Sequence, residues 1–344
     1  MSLLILTASD VARITSTLTP QDLLDQASQV FSRFSSTNNK DNDIVAPHRT
    51  TIRMAKYSAL FMPSRIVSHG TAIKVVSVPN FERGGGLPAS TMVMDETTGG
   101  VKALVNARVL TALRTAAGSL LSSTLLIPPS SPPTHLVAFG AGNQISAHVT
   151  LHLKHFPSIT NVTIVNRTSN DRLSTLNSTL AEQFPNVAVS TTPLVWESIQ
   201  KRVAEASIII TATTSTIPLF HGEWVKPGTH IILIGSYTPA MHEIDSILVR
   251  RAGKVVVDSR DACLREAGEL ILAGIKGDGM VELGELDIAE KEGDKELVEK
   301  VKKGGDVTIF KSVGVGVQDV AIASAVVKRA EELGLGTKID DYDE

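Results

Sequence analysis

Beyond residue 134 the chain alternates between two kinds of hydrophobic pattern. Six short runs are dense in β-branched and apolar residues, as expected of strands buried on both faces. The segments between these runs repeat apolar residues at the three-to-four-residue spacing of helices. The alternation predicts an α/β fold with a doubly wound parallel sheet. The six runs are HLVAFG, NVTIVN, VAVSTT, SIIITAT, THIILIG and KVVVDS.

The first part of the chain mixes the two patterns without regular alternation. A helix is predicted from Pro20 to Phe34 and a longer one over about 107–126, with extended segments such as HRTTIRMA, TAIKVVSVP and STMVMDE between them. We therefore expect a separate α+β domain. The IPPSSPPT segment that follows has the composition of a linker and places the domain boundary near residue 125.

The C-terminal part of the chain is predicted to return to the first domain. The QDVAIASAVVKRAEELG segment is apolar almost all round at its start, so we expect a helix buried against the first domain. We assign 1–125 with 313–344 to the α+β domain and 126–312 to the α/β domain. Within the latter, MHEIDSILVRRA has a helical pattern, and 274–303, rich in Gly, Glu and Lys, predicts a solvated helix.

Composition narrows the class of protein. The formal net charge is only −3, so the chain has no basic excess for nucleic acid, and a small molecule is the expected partner. The single cysteine, Cys263, excludes an internal disulfide framework. The N-terminal MSLLILTASDVARI has no basic leader and too short an apolar run for a membrane span. We therefore expect a cytoplasmic protein with no membrane partner.

A glycine-containing turn follows the first predicted strand of the α/β domain. In AFGAGNQISAH, Gly140 and Gly142 precede a helix that starts near Asn143, so backbone N–H groups and the positive helix end face a common point. This arrangement predicts a Rossmann-type pyrophosphate site. Ile145 stands where a third glycine is usual, but that glycine serves helix packing rather than phosphate contact. The alternative is an ordinary tight turn.

The end of the second strand favours one cofactor. An NAD site usually has an acidic residue there to bind the ribose 2′-hydroxyl, but this chain has Asn166, Arg167, Thr168 and Ser169. A guanidinium with two hydroxyls suits a 2′-phosphate. NADP(H) is therefore favoured and NAD(H) remains possible. The alternative is that Arg167 is a solvated loop residue.

Two basic residues are predicted to be buried in the first domain. Arg114 interrupts a helix of Ala, Leu, Ser and Gly, and Lys74 shares a strand face with Ala72, Val76 and Val78. A buried charge needs a partner, which is either a structural carboxylate or a ligand anion. A buried amine can also have a lowered pKa and serve as an acid, a base or a carboxylate clamp. Exposure on a solvated face is the alternative for Lys74.

The strand in THIILIG ends in Gly235, Ser236 and Tyr237. Carboxyl ends of strands form the ligand crevice of a doubly wound sheet, so these residues are candidates to meet a nicotinamide or a substrate. Tyr237 either donates a proton or packs as a wall. The histidines at 148, 152 and 155 share one helical face, but they lack an acidic partner and we predict no metal site.

These features together resemble the ornithine cyclodeaminase and mu-crystallin family. The resemblance covers nearly the whole chain and is carried by motifs such as VAPHRTT, LTALRTAAGSL, FGAGNQISAH, VNRT, DSRDACLREAGEL and IFKSVGVGVQDVA. It implies a homodimer whose α+β domain carries the dimer contact and much of the substrate site, and an NAD(P)-binding Rossmann domain. It implies substrate contacts at Arg49, Lys74, Arg114 and Val313. It implies cofactor contacts at Thr91, Arg114, Asn143, Gln144, Asn166, Arg167, Thr168, Thr211 and Ser312.

Departures from the family pattern help to choose the reaction. Cyclodeaminases of this family have an aspartate at the position of Tyr237 and a glutamate before a Met-Pro, where this chain has Leu60 and Phe61. The VNRT turn is similar to that of mu-crystallin, whose relatives are NADPH-dependent ketimine reductases. We therefore predict an NAD(P)H-dependent reductase of a ketimine or imino acid, and we expect a small cyclic imine carboxylate as its substrate.

The proton that such a reductase adds to the imine nitrogen would come from Lys74, Tyr237 or water. Two other functions remain open at this point. One is an ornithine cyclodeaminase or amino-acid dehydrogenase in which other groups replace the missing acids. The other is a non-catalytic protein that binds NADPH and a small molecule.

Overall fold

The structure, a computed structural model, describes residues 2–36, 43–67, 69–80 and 87–342. The first elements are β1 (Leu3–Leu6), α1 (Ala8–Thr15), α2 (Pro20–Ser35), β2 (Ile44–Val45), β3 (Thr50–Arg53), β4 (Tyr57–Ile66), β5 (Gly70–Pro79), β6 (Ala89–Met94), β7 (Val101–Asn106) and α3 (Arg108–Leu126). The middle elements are β8 (His135–Phe139), α4 (Asn143–His155), β9 (Asn161–Asn166), α5 (Asp171–Gln183), β10 (Ala188–Pro193), α6 (Trp196–Glu205), β11 (Ile208–Thr211), β12 (His230–Leu233), α7 (Ser246–Arg251) and β13 (Val255–Val257). The last elements are α8 (Arg260–Glu266), α9 (Gly268–Leu272), β14 (Met280–Glu282), α10 (Leu283–Glu292), α11 (Lys295–Lys302), β15 (Thr308–Lys311), α12 (Gly316–Leu333) and β16 (Thr337–Ile339).

The chain divides into two compact units. The first comprises Met1–Thr115 with Gly314–Glu344, and the second comprises Ala116–Val313. The division falls within α3, ten residues before the boundary that the proline-rich linker suggests. The C-terminal helix belongs to the first unit.

The first unit is built on a largely antiparallel sheet. Its strand order is β16-β1-β7-β6-β5-β4-β2, and β3 also pairs with β4. Helix α12 packs on β4 and β5 and contacts α1 and α2, which confirms that the apolar start of this segment is buried. Helix α2 starts where its sequence dictates: Thr19 caps it, Asp22 completes a capping box, and Pro20 occupies the first turn.

The second unit contains the predicted doubly wound sheet. Its order is β10-β9-β8-β11-β12-β15-β13-β14, and every neighbouring pair is parallel. All six runs predicted from β-branched density are strands. The order reverses between β8 and β11, so the carboxyl ends of these two strands flank the position where such sheets bind ligands.

Two helix predictions in the second unit need correction. The helix predicted over MHEIDSILVRRA begins only at Ser246, because Asp245 caps it and the preceding backbone bonds elsewhere: His242 donates to the Ser215 carbonyl, and the Glu243 carbonyl accepts from Leu219. The solvated helix predicted in 274–303 is two helices, α10 and α11. Gly293 ends α10 in a left-handed conformation and Asp294 caps α11. Several residues of α10 are buried, so this region is not simply solvated.

Helix α3 is long and apolar enough to cross a membrane by length and composition alone. Its apolar window is 78% buried inside the protein, as in the core helix of a globular fold. Among the residues described, it is the one helix with these properties.

Candidate active site

Lys74 occupies an inward-facing position of β5. Burial alternates along this strand, so Lys74 lies on the same face as Ala72 and Val76 and is only 1% exposed. Its cross-strand neighbours are Met62 on β4 and Thr91 on β6, and neither carries a charge. The predicted burial of an amine on this face is confirmed, and the amine needs a charged partner from another element.

The partner of Lys74 is Asp319, in the first turn of α12. The Lys74 Nζ atom lies 2.7 Å from Asp319 Oδ2. The other carboxylate oxygen, Oδ1, accepts a hydrogen bond from Arg114 Nε at 3.1 Å. One buried carboxylate therefore pairs with two buried cations, each at its own oxygen.

Arg114 is further held by Gln318. Its Nη1 atom donates to Gln318 Oε1 at 2.8 Å, and Gln318 Nε2 donates back to the Arg114 carbonyl at 3.2 Å. Arg114 is 6% exposed, so the burial predicted from its helical face is confirmed, and a structural carboxylate is at least one of its partners. We name Asp319, Gln318, Lys74 and Arg114 the cation cluster.

The cation cluster has an excess of positive charge. Burial lowers the pKa of Lys74 to about 8, against the opposing effect of the Asp319 carboxylate, and Arg114 and the half-buried Arg49 lower it further. Arg49, which precedes β3, is thus close enough to act on Lys74 electrostatically. With two cations and one carboxylate, the cation cluster carries one net positive charge, which suits an anionic ligand.

The glycine loop of the second unit has the geometry of a pyrophosphate site. Gly140 directly follows β8 with φ of +113°, a conformation that L side chains rarely adopt. A Cβ at Gly142 would meet open space, and no side chain caps α4. The N–H groups of the first turn of α4 therefore face outward, and Gln144 Oε1 is buried without a hydrogen-bond partner among the described residues. These features fit a dinucleotide.

The end of β9 carries the residues predicted to face a ribose. Asn166 donates to the Thr168 carbonyl at 2.7 Å, which closes the turn, and Arg167 is exposed. The side chain of Asn170 caps α5 by accepting from the N–H of Leu173. The first acidic residue after β9 is Asp171, which already lies in the first turn of α5. No carboxylate occupies 166–170, the turn where a ribose-binding acid is usual.

Glu243 joins the carboxyl ends of β11 and β12. It is fully buried, and its Oε2 accepts from the Thr211 hydroxyl at 2.8 Å and the Gly235 N–H at 2.7 Å. Its Oε1 accepts from the Thr213 N–H at 2.6 Å and the Thr213 hydroxyl at 2.8 Å. Burial raises the pKa of Glu243, and the nearby Lys311 opposes this effect. Thr211, a predicted cofactor contact, is therefore fixed by a carboxylate.

A second buried lysine lies at the same edge of the sheet. Lys311 Nζ donates to the Ser236 carbonyl at 2.6 Å and pairs with Glu269 Oε1 at 3.1 Å. The Ser236 hydroxyl donates to Glu269. We name Glu243, Glu269, Lys311 and Ser236 the strand-end cluster.

The remaining predicted residues of the second unit lie beside this cluster along the chain. The Ser312 hydroxyl donates to Asp258 at 2.7 Å, and Val313 packs in the apolar core of the unit. Tyr237 follows Ser236 and is half-buried. Its roles as proton donor and as wall both stay predictions.

The histidine face of α4 is structural. His148 Nε2 lies 2.8 Å from Ser119 Oγ, and His152 Nε2 lies 3.0 Å from Ser123 Oγ. His230 is bonded to Ser122 in the same way at 3.2 Å. We name these three pairs the Ser–His ladder. Among the described residues, no three His, Cys, Asp or Glu side chains could hold a metal ion.

Sequence reasoning missed the carboxylates of both clusters. Asp319 and Glu269 were within quoted motifs, but nothing in a helical pattern shows which acid turns inward. Glu243 fell in a segment predicted to be helical, where an acid is expected to be solvated. The one available signal was the requirement that buried Lys74 and Arg114 have a counter-charge.

A model of the ornithine cyclodeaminase/mu-crystallin family matches residues 4–334. The chain belongs to this family. The chain is similar in sequence to the ketimine reductase mu-crystallin of Mus musculus. The two are 34% identical over 292 residues, which is 83% of this chain and 85% of that protein.

Solved structures of similar proteins cover the whole fold. The Δ1-pyrroline-2-carboxylate reductase of Thermococcus litoralis, in complex with NADH and L-proline, has a TM-score of 0.82 and 26% identity over 98% of this chain and 100% of that one. The iminosuccinate reductase of Paracoccus denitrificans, in complex with NAD⁺, has a TM-score of 0.79 and 27% identity over 99% and 100% of the two chains.

Within the ornithine cyclodeaminase/mu-crystallin family, this chain lacks the acids expected of the cyclodeaminases. Leu60 is buried in a small apolar cluster with Met62, Val76 and Ala89, and Phe61 neighbours it on β4. Neither Leu60 nor Phe61 carries a carboxylate that would receive a second ammonium group. Tyr237 stands where the other acid is expected.

Proposed function

We propose that this protein is an NAD(P)H-dependent reductase of ketimines, and that its substrate is a small cyclic imine carrying a carboxylate. The observation that carries the substrate class is the cation cluster, in which the buried cations of Lys74 and Arg114 share one carboxylate and Arg49 acts electrostatically on Lys74. The reaction class follows from the family and from the dinucleotide geometry of the Gly140 loop. The enzyme is an oxidoreductase acting on C=N bonds.

The roles of the cationic residues follow from their chemistry. Arg114 and Arg49 bind the substrate carboxylate, since a guanidinium offers two parallel N–H donors to two carboxylate oxygens. Lys74 donates a proton to, or holds it on, the imine nitrogen, because a protonated iminium accepts hydride more readily. A lysine with a pKa of about 8 carries that proton at neutral pH and releases it easily.

The dinucleotide would be held by the second unit. The N–H groups at the start of α4 and the side chains of Asn143 and Gln144 would bind its phosphates, and Thr211, Gly235, Ser236 and Ser312 would line its nicotinamide end. When bound, the cofactor supplies hydride. Glu243 fixes Thr211 and Gly235 for this contact through one hydrogen bond each, and two bonds from Thr213 hold the carboxylate in place.

The proposal extends to a preference for NADP(H). Support comes from the exposed Arg167 and from the lack of a carboxylate in the turn at 166–170. R167S should weaken NADPH affinity by about 10- to 100-fold while changing NADH affinity little, since only the 2′-phosphate loses a partner. Arg172, exposed in the same region, provides a control as R172S. An equal effect of R167S on both cofactors would contradict the preference.

We also propose a homodimer formed through the first unit, and a cytoplasmic location. Support for the dimer comes from exposed apolar side chains of that unit, among them Ile52 and Met54 at and after β3 and Leu104 on β7. Light scattering of I52E should report a monomer if the dimer contact includes β3. I217E, at an exposed isoleucine of the other unit, should remain dimeric. A dimeric I52E would contradict a contact at β3.

The function is tested by oxidation of NADPH, and of NADH in parallel, with five- and six-membered cyclic ketimine carboxylates. Turnover with formation of the cyclic amino acid supports the proposal. If neither cofactor is consumed, the reductase is contradicted. Ammonia release from ornithine would then point to a cyclodeaminase, and cofactor binding without turnover would point to a binding protein.

A further inference from the structure

We propose that Asp319 is a positioning residue that keeps Lys74 protonated and Arg114 oriented for the substrate carboxylate. This inference rests on the proposed function, because it assigns a role within the same cluster. Asp319 is not expected to touch a reacting atom itself. It acts through the two cations that it pairs.

The geometry gives Asp319 two separate tasks. Oδ2 pairs with Lys74 Nζ at 2.7 Å, and Oδ1 accepts from Arg114 Nε at 3.1 Å. Within the part of the chain that the structure describes, no other carboxylate pairs with either cation. Because Nε of Arg114 is held by Asp319 and Nη1 by Gln318, the plane of the guanidinium is fixed by two side chains of one helix.

Asp319 is presented rigidly. It is 2% exposed, and its neighbours Val317, Val320 and Ala321 on α12 are buried to 1% or less. A Cβ at Gly316 would collide with the Ser64 hydroxyl on β4, so the start of α12 lies close against the sheet. The carboxylate therefore has little freedom to follow a displaced partner, and its position decides where the two cations lie.

The charges around Lys74 explain why its proton depends on Asp319. On the strands that flank β5, its neighbours Met62 and Thr91 are uncharged. From α12 it faces Asp319, and the remaining charges that act on it are those of Arg114 and Arg49. Asp319 is thus the one group that favours the ammonium, whereas burial and both guanidinium groups favour the neutral amine. Without Asp319, the amine would lose its proton at a lower pH.

The test is the pH dependence of kcat/KM in wild type, D319N and D319E, with saturating cofactor and one ketimine. Activity that needs the Lys74 ammonium should fall in wild type as the pH rises through about 8. D319N should move this alkaline limb to lower pH by about one unit or more. D319E, which restores the charge, should return the limb toward the wild-type position. Ionisation of the substrate is common to all variants, so their difference reports the protein.

A matched control is D287N. Asp287 is likewise a buried helical carboxylate paired with a lysine, at 2.8 Å from Lys291, but it belongs to the second unit and is not part of either cluster. D287N should keep the wild-type limb. An unshifted limb in D319N, or the same shift in D287N, would overturn the proposal.

K74R keeps the test decisive if D319N does not fold. K74R should lose most of its activity with the proton donor, and because arginine holds its charge throughout this range, the activity that remains should have no alkaline limb if the limb reports the Lys74–Asp319 pair. A limb that stays in place would overturn the proposal. A wild-type enzyme without turnover on any ketimine would instead contradict the proposed function, so the two failures are distinct.

Discussion

The two units each contain a fully buried lysine, and the two lysines differ in what surrounds them. Lys311 donates to the Ser236 carbonyl and pairs with Glu269, and Glu243 lies close by. Lys74 has one carboxylate, Asp319, and two arginines nearby. The charged groups near Lys311 are therefore mainly carboxylates, whereas those near Lys74 are mainly guanidinium groups.

This difference separates a structural role from a chemical one. The bonds of Lys311 are satisfied by the protein, so its amine is committed to holding the strand ends together. The cluster of Lys74 keeps an excess of positive charge that an anionic ligand would neutralise. Burial alone therefore does not identify a functional lysine. The balance of charge around it does.

The largest expected effect is on catalysis, in K74M. We expect kcat/KM to fall by about 10³-fold, because the variant removes the proposed proton donor and one cation of the carboxylate site. Asp319 keeps Arg114 as a partner, so the protein should still melt cooperatively. Steady-state kinetics and a thermal melt check both parts. Near-wild-type kcat/KM would remove Lys74 from the mechanism.

K311M should mainly lower the stability of the protein, in contrast to K74M. Removing one partner of a buried pair leaves Glu269 uncompensated, and we expect the free energy of unfolding to fall by about 3–5 kcal/mol. Denaturant unfolding measures this loss. Unchanged stability, with activity lost as in K74M, would show that the two lysines are not divided as described.

E243Q tests the rest of the strand-end cluster. An amide replaces one carboxylate oxygen with a donor, so the N–H of Thr213 or of Gly235 loses its acceptor and the threonine hydroxyl on the same oxygen must turn round. We expect a loss of about 1–3 kcal/mol of stability and weaker dinucleotide binding, since the strand ends that carry Thr211 and Gly235 are less firmly held. Calorimetry with the cofactor checks the binding. D245N is a control, because Asp245 fixes the Gly222 N–H in a similar way away from this cluster.

The smallest expected effect is on the pH dependence of stability. It comes from two buried histidines that are neutral, in contrast to the two buried lysines. Burial lowers the pKa of His152 to about 3, and also that of His230 to about 3, so both are neutral in the folded protein. The unfolded chain binds protons at these sites below about pH 6.5. Their contribution is therefore fully present above pH 6.5 and is lost progressively as the pH falls toward 3.

Each of these histidines should contribute a slope of about 1.4 kcal/mol per pH unit in that range. H152Q should reduce the slope of unfolding free energy against pH by about one proton. An identical slope in wild type and H152Q would contradict a neutral His152.

The sequence predicts the fold well where its patterns are strong. All six β-branched runs of the second unit are strands, and the predicted helices over 20–34 and 107–126 match α2 and α3 within one residue at each end. The helix at 241–252 is wrong in its first half because long-range backbone bonds of His242 and Glu243 override the local periodicity. Pairing partners distant in sequence are invisible to a periodic pattern.

The sequence predicts the cations of the candidate site but not the carboxylates that pair with them. The burial of Lys74 and Arg114 follows from a strand face and a helix face, so it can be inferred locally. The position of Asp319, more than 200 residues along the chain from both, depends on how α12 packs on β5. The carboxylates that set the chemistry of both lysines are therefore known only from the tertiary structure.

The most direct test of the central claim follows the hydride. Wild-type protein is incubated with Δ1-pyrroline-2-carboxylate and with NADPH or NADH that carries two deuterium atoms at nicotinamide C4, and the product is analysed by mass spectrometry. We expect proline with one deuterium at the carbon that belonged to the C=N bond. Proline without deuterium, or no reduction of any cyclic ketimine, would contradict it.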